Sequence, residues 1–123
     1  MRIQFPKTES GRSSVLEELN DTVKVEQHHR KIYKQMKLLE ELPFSESQKV
    51  RRVRKLEGVG NQQIYELRIR ATKVMVYRLL FAIRAAGYIA LRFFLKKSNN
   101  YQNEIEVAKK RINKYDQDKY DEQ

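Results

Sequence analysis

The apolar positions of this chain change period along its length. Val15, Leu16, Leu19 and Val23 recur with helical spacing, as do Ile32, Met36, Leu39 and Leu42. The spacing predicts a helix beginning at Val15 behind a Ser13 or Ser14 cap, and a second over about residues 25–42, with a break near residues 21–25. Pro43 ends the second, because proline drives the residue before it out of helical backbone. Ahead of the helices, Arg2–Phe5 reads as a short strand stopped by Pro6, and KTESGR, with Gly11, as a turn. The stretch 48–63 reads as a loop marked by Gly58 and Gly60. From residue 64 the apolar residues alternate, predicting strands over about 64–70, 74–83 and 88–96. RATK and RAAG are connections short enough for antiparallel hairpins. Ile105, Ala108, Ile112 and Tyr115 then share one side of a closing helix, and the polar tail from Asp116 reads as frayed.

This order predicts an α+β fold in one domain over residues 1–123. Its small antiparallel sheet would combine the N-terminal strand with the three-stranded meander, with the helices packed on one face.

Alternation assigns the strand faces. Tyr65, Leu67 and Ile69 share one face with Met75, Tyr77, Leu79, Phe81 and Ile83, and with Ile89, Leu91, Phe93 and Leu95. The opposite face collects Glu66, Arg68, Arg70, Arg78, Arg92 and Lys96, interleaved with Tyr88 and Phe94. A guanidinium is costly to bury without a partner, so the arginines are expected on an open, wet face. A basic, partly aromatic concavity of this kind suits phosphates and stacked bases. A one-residue bulge would reverse part of the assignment.

Charge sharpens the picture. The net charge is +10, and residues 49–111 hold 16 of the 26 Lys and Arg but only 4 of the 16 Asp and Glu. The cations are thus concentrated on the strand-bearing half, which points to a polyanionic partner, nucleic acid before acidic protein or membrane surface. With no cysteine, disulfides and thiolate metal sites are excluded. His28 and His29 are adjacent, point about 100° apart on a helix, make no ligand pair and are expected on the surface. No window approaches a membrane span and the first residues lack a signal peptide's apolar segment, so a cytoplasmic protein with no membrane contact is expected.

Four stretches in order, IQFPKTESGRSSVLEEL, VRKLEGVGNQQIYELRIR, VYRLLFAI and FFLKKSNNYQNEIEVAKKRINKY, resemble the HigB-like, phage-derived branch of the RelE/ParE toxin superfamily over nearly the whole chain. The resemblance implies a RelE-like fold and an mRNA interferase that enters the ribosomal A site and cuts bound message. It implies a helix-turn-helix, HigA-like antitoxin that occludes the basic surface and alone contacts operator DNA. The family's basic catalytic positions fall on Arg68 and Arg70 of YELRIR, Arg78 of YR, and Lys96 or Lys97 of FLKKS. Arg54 and Lys55 of VRKLEG, Arg92 and Phe94 are further RNA-binding candidates. Tyr101 falls near the aromatic that RelE places after its last basic residues, and Glu66 stands where RelE has a lysine.

Cutting RNA by this route needs a proton taken from the 2′-hydroxyl, a stabilised phosphorane and a proton for the 5′-oxygen. The nucleophile belongs to the substrate, so neither metal nor cofactor is required. Arg78 suits the phosphorane, its fork holding two oxygens, while Arg68 and Arg70 grip flanking phosphates and depress the pKa of a nearby lysine. Glu66 is either a base or an arginine-orienting partner. Two competing functions are a ParE-like toxin that inhibits gyrase and a remnant that binds nucleic acid or antitoxin without catalysis.

Overall fold

The computed structural model describes residues 1–47, 52–56 and 60–122; Gly58 lies outside them. The elements follow as β1 (Ile3–Gln4), α1 (Ser14–Thr22), α2 (Glu26–Glu41), α3 (Phe44–Ser47), β2 (Val53–Lys55), β3 (Tyr65–Arg70), β4 (Val76–Arg84), β5 (Gly87–Leu95) and α4 (Gln102–Asp121). A 3-10 turn covers Gly60–Gln62. The fold is α+β, as expected, and compatible with a small RelE-like domain. No helix of the described residues is long and apolar enough to cross a membrane.

The strands form one sheet in the order β1-β5-β4-β3-β2. The meander β3-β4-β5 is antiparallel as predicted, while β1 pairs parallel with β5. The sheet has one strand more than expected. β2 arises within the predicted 48–63 loop, pairing Val53 with Leu67, Arg54 with Glu66 and Lys55 with Tyr65. Its three residues carry two cations, too short and polar a run for alternation to reveal.

Ser13 caps α1, its Oγ accepting from Leu16 N at 3.3 Å. Extended Val23 and Val25 separate α1 from α2, and extended Leu42 precedes Pro43. Val15, Leu19, Ile32, Met36 and Leu39 pack on Leu67, Ile69, Tyr77, Leu79 and Phe81, forming the main core. His28 also lies buried there, its Nδ1 hydrogen-bonded to the Tyr77 hydroxyl at 3.0 Å. The surface placement expected for it fails because an imidazole can satisfy a polar atom inside the core that alternation treats as apolar.

The second departure is the layering. α4 lies on the other face of the sheet, where Ala108 and Ile112 close a separate core with Ile64, Leu80, Ala82, Ile89 and Leu91. That face is therefore half covered, not open. The cause is a bulge in β5: Leu80 pairs with Arg92 but Phe81 pairs with Ala90, leaving Leu91 as an extra residue. The pleat reverses across it. Tyr88 and Ala90 join the main core and Ile89 and Leu91 join the α4 side, the opposite of simple alternation, while Phe93 and Phe94 lie where expected. Beyond Asp116 the chain stays helical to Asp121, and Lys114 pairs with Asp118 one turn on. Arg84, at the RAAG turn, holds Asp116 of α4 through Nε and Nη2 at 2.8 and 2.9 Å.

The β4–β5 turn also fixes β1. Gly87 has φ +135°, and a Cβ there would stand 2.3 Å from the Arg2 carbonyl oxygen, which accepts from Tyr88 N at 2.9 Å. Gly87→Ala should therefore cost about 2 kcal/mol or more in denaturant unfolding. Gly11→Ala, at φ +82° with nothing within 4 Å, should cost only about 1 kcal/mol. Equal losses would show that the contact with β1 carries no energy.

Candidate functional site

Glu66 is the centre of the polar face left uncovered by α4. β3 turns it away from the main core, and pairing sets it opposite Arg54 of β2 and diagonal to Arg78 of β4. Its side chain is buried, at 1 % exposure, and Arg78 is buried with it at 4 %. Arg78 Nη1 donates to Glu66 Oε1, and Arg54 Nε donates to the same oxygen at 3.1 Å. Tyr101, at the entrance of α4, donates its hydroxyl to Glu66 Oε2 at 2.7 Å and accepts from Arg54 Nη2 at 2.6 Å. Both carboxylate oxygens are thus engaged. The expectation that no arginine is buried fails here because Glu66 supplies the counter-charge.

Two aromatic rings complete the cluster. Phe94, paired with Arg78 across β4–β5, lies 5.5 Å from the Tyr101 ring, and the Arg78 guanidinium sits 5.9 Å from that ring's centroid. The ring face offsets part of the cation's lost hydration. The Nε–H of Arg78 has no hydrogen-bond partner among the described residues.

Above this cluster opens a cleft of about 350 Å³. Arg54, Glu66, Arg68, Arg78, Lys96 and Tyr101, all singled out in the sequence, line it. Arg52 and Asn99 line it too and were missed. Arg52 fell in the presumed loop, and only the VRRVR charge run marked it. Among the described residues five cations thus meet one carboxylate already held by its partners. Arg68, directly across from Arg78, and Lys96 have no ion-pair partner among the described residues.

The other candidates lie elsewhere. Arg70 is exposed at the end of β3, beyond the cleft. Lys55 is paired with Tyr65, so it projects toward the opposite face from Arg54. Lys97 faces a neighbouring cleft. Arg92, at the β5 bulge, is held by Glu18 of α1 and Glu104 of α4. Among the described residues no group of three or more His, Asp or Glu side chains is placed to hold a metal ion.

The sequence model of the family described as phage derived protein Gp49-like (DUF891) matches residues 15–113. The chain belongs to the Gp49-like family. This family is generally associated with toxins of toxin–antitoxin systems, which implies an antitoxin partner. No curated protein and no solved structure matches the chain. In this Gp49-like chain the whole cationic cleft lies within the matched span, and β1, the first residue of α1 and the end of α4 fall outside it.

Burial chiefly, with the bond to Glu66, raises the Tyr101 pKa above the usual 10.0, and the attraction of Glu66 raises that of Arg54. A raised tyrosine pKa means the folded state holds its proton longer. That contribution is complete below about pH 10 and is lost as pH climbs through the folded value. Tyr101→Phe should therefore give a shallower fall of melting temperature above pH 10.0 than the parent shows. An identical slope would remove Tyr101 from the coupled network.

Removing either member of the buried pair strands the other charge. Glu66→Ala and Arg78→Ala should each cost about 3 to 5 kcal/mol, and the double variant distinctly less than their sum. Additive losses in urea unfolding would show that the two side chains act independently.

Proposed function

We propose that this protein is the toxin of a type II toxin–antitoxin pair and acts as a ribosome-dependent, metal-independent mRNA endoribonuclease. The observation that carries the reading is the cationic cleft, with five cations lining it around one saturated carboxylate. A site built this way binds the phosphodiester of a strand whose own 2′-hydroxyl is the nucleophile. Its partners are a HigA-like antitoxin, the ribosome and the message.

In this reading the 2′-hydroxyl gives its proton to solvent as its oxygen attacks phosphorus, the phosphorus–5′-oxygen bond breaks, and the 5′-oxygen takes a proton, leaving a 2′,3′-cyclic phosphate and a 5′-hydroxyl. Arg78 supplies fixed positive charge at the floor, aimed by Glu66 and cost-free to reorganise as the phosphorane forms. Arg68 and Lys96 hold the non-bridging oxygens from the walls, and Lys96 is the proton-transfer group within the cleft. Glu66 acts as the orienting partner of two arginines, since its lone pairs are committed to them and to Tyr101. Of the two adjacent lysines, Lys96 is preferred over Lys97 because it lines this cleft.

Induced alone, the protein should arrest bacterial growth, and primer extension should show new 5′ ends inside translated messages. Arg78→Ala confounds folding with activity, so the informative variants are Arg68→Ala and Lys96→Ala, whose side chains have no ion-pair partner to strand. Each should melt within about 2 °C of the parent yet lose a factor of roughly 100 to 1,000 in cleavage. Intact messages with a DNA-damage response would overturn the nuclease reading in favour of gyrase inhibition.

A further inference from the structure

A second, larger cleft of about 630 Å³ opens beside the first, between the end of α1, the edge of β5 and the segment leading into α4. Tyr101 lines both clefts, so the two are neighbours across one ring. Their chemistry differs. Glu18 and Glu104 on the wall of the second balance Arg92 and Lys97, and three of these four are tied together: Arg92 holds both carboxylates. Arg111 adds a further bond to Glu18 at 2.9 Å. Among the side chains that line it, this cleft sets two carboxylates against two cations, whereas the cationic cleft sets one against five, so a phosphate has less reason to settle here.

What it offers instead is flat apolar surface and amides. Phe94 and Tyr101 bring rings to its floor, and Asn100 and Asn103 stand on the rim. The Asn103 amide has no hydrogen-bond partner among the described residues, and Asn100 uses only its oxygen, accepting from Gln102 N at 3.2 Å. A side-chain amide presents a donor and an acceptor side by side, the pattern that complements a base edge. Unstacked RNA bases are read by aromatic stacking combined with such hydrogen bonds. The volume lies within the range of about 300 to 1,000 Å³ usual for small-molecule sites.

We infer that the second cleft is a base-reading subsite: it takes a nucleobase of single-stranded RNA next to the phosphate in the cationic cleft, with Asn100 and Asn103 discriminating its edge and Tyr101 stacking. The inference rests on the cationic cleft holding an RNA phosphate, but not on that phosphate being cut. Arg92 is a positioning residue here. Through Glu104 and Glu18 it fixes the start of α4 against α1, which sets the width of the cleft.

The test separates binding from cleavage. Short 2′-O-methyl oligoribonucleotides of each single base cannot be cut, because the attacking hydroxyl is blocked. Their binding to the purified chain is followed by fluorescence anisotropy. The parent should bind the best base at least about 10-fold more tightly than the worst. Asn100→Ala/Asn103→Ala, which alters exposed side chains, should bind all four within about twofold while its salt dependence stays that of the parent. Arg68→Ala should weaken all four alike. A parent that does not discriminate, or a double variant that discriminates as well as the parent, overturns the subsite. Discrimination without cleavage of message in cells would instead support the subsite and overturn the nuclease reading alone.

Discussion

The buried ion pair between Glu66 and Arg78 is the constraint around which this face of the protein is arranged. A carboxylate at 1 % exposure must be paired and hydrogen-bonded on both oxygens, or it forfeits several kcal/mol of hydration. The sheet supplies Arg78 diagonally and Arg54 directly opposite, and the segment before α4 supplies the Tyr101 hydroxyl. Three elements distant in sequence are thereby pinned to one group. β2, only three residues long, gains through Arg54 an anchor that its backbone pairing alone would barely give. The helix start is fixed likewise, since Tyr101 immediately precedes α4.

The same pair sorts the cations into two kinds. Arg54, Arg78 and Arg92 are held by carboxylates and so are fixed in the framework. Arg68 and Lys96 sit beside them without such partners among the described residues, so their charge remains available to a ligand. One carboxylate thus does not neutralise the cleft; it orders it. A preoriented cation needs no reorganisation when a phosphate's charge grows, whereas solvent-facing lysines and arginines must first be immobilised. This is the physical sense in which an arginine in the middle of a strand serves a site.

Legibility in the sequence followed the purity of the patterns. β3 and β4 keep strict alternation, so Glu66, Arg68 and Arg78 were placed on the correct face from spacing alone. The stretch Tyr88-Ile89-Ala90-Leu91 is apolar at every position, so neither face is marked, and the bulge that decides its orientation left no signal. Arg54 and Lys55 looked equivalent because adjacent cations in a presumed loop have no face; pairing with β3 separates them. The burial of Arg78 was missed because its face was expected to be open, even with Glu66 offered as an arginine-orienting partner. That partner, Glu66, was visible as the only carboxylate on its face, but its depth depends on α4 covering the neighbouring half of the sheet. His28 was hidden in the same way, since its partner Tyr77 lies far along the chain.

The bulge and the ion pair together explain why two clefts meet at one residue. β1 pairs with Tyr88 and Ile89, and among the described residues no strand pairs with the outer edge of β5 from the bulge onward. Glu18 of α1 moves into that gap, accepting from Phe93 N at 3.2 Å and binding Arg92. An exposed strand edge is thus covered by a side chain instead of another strand. The vacated length of edge becomes one wall of the balanced cleft. The chain leaving β5 must then cross from this edge to the start of α4, and Tyr101 lies on that crossing, its hydroxyl drawn toward Glu66. Its ring therefore divides a cationic space from a neutral one. A nucleotide has the same division, a charged phosphate beside a neutral base, and in the proposed reading Tyr101 stands where the two parts join.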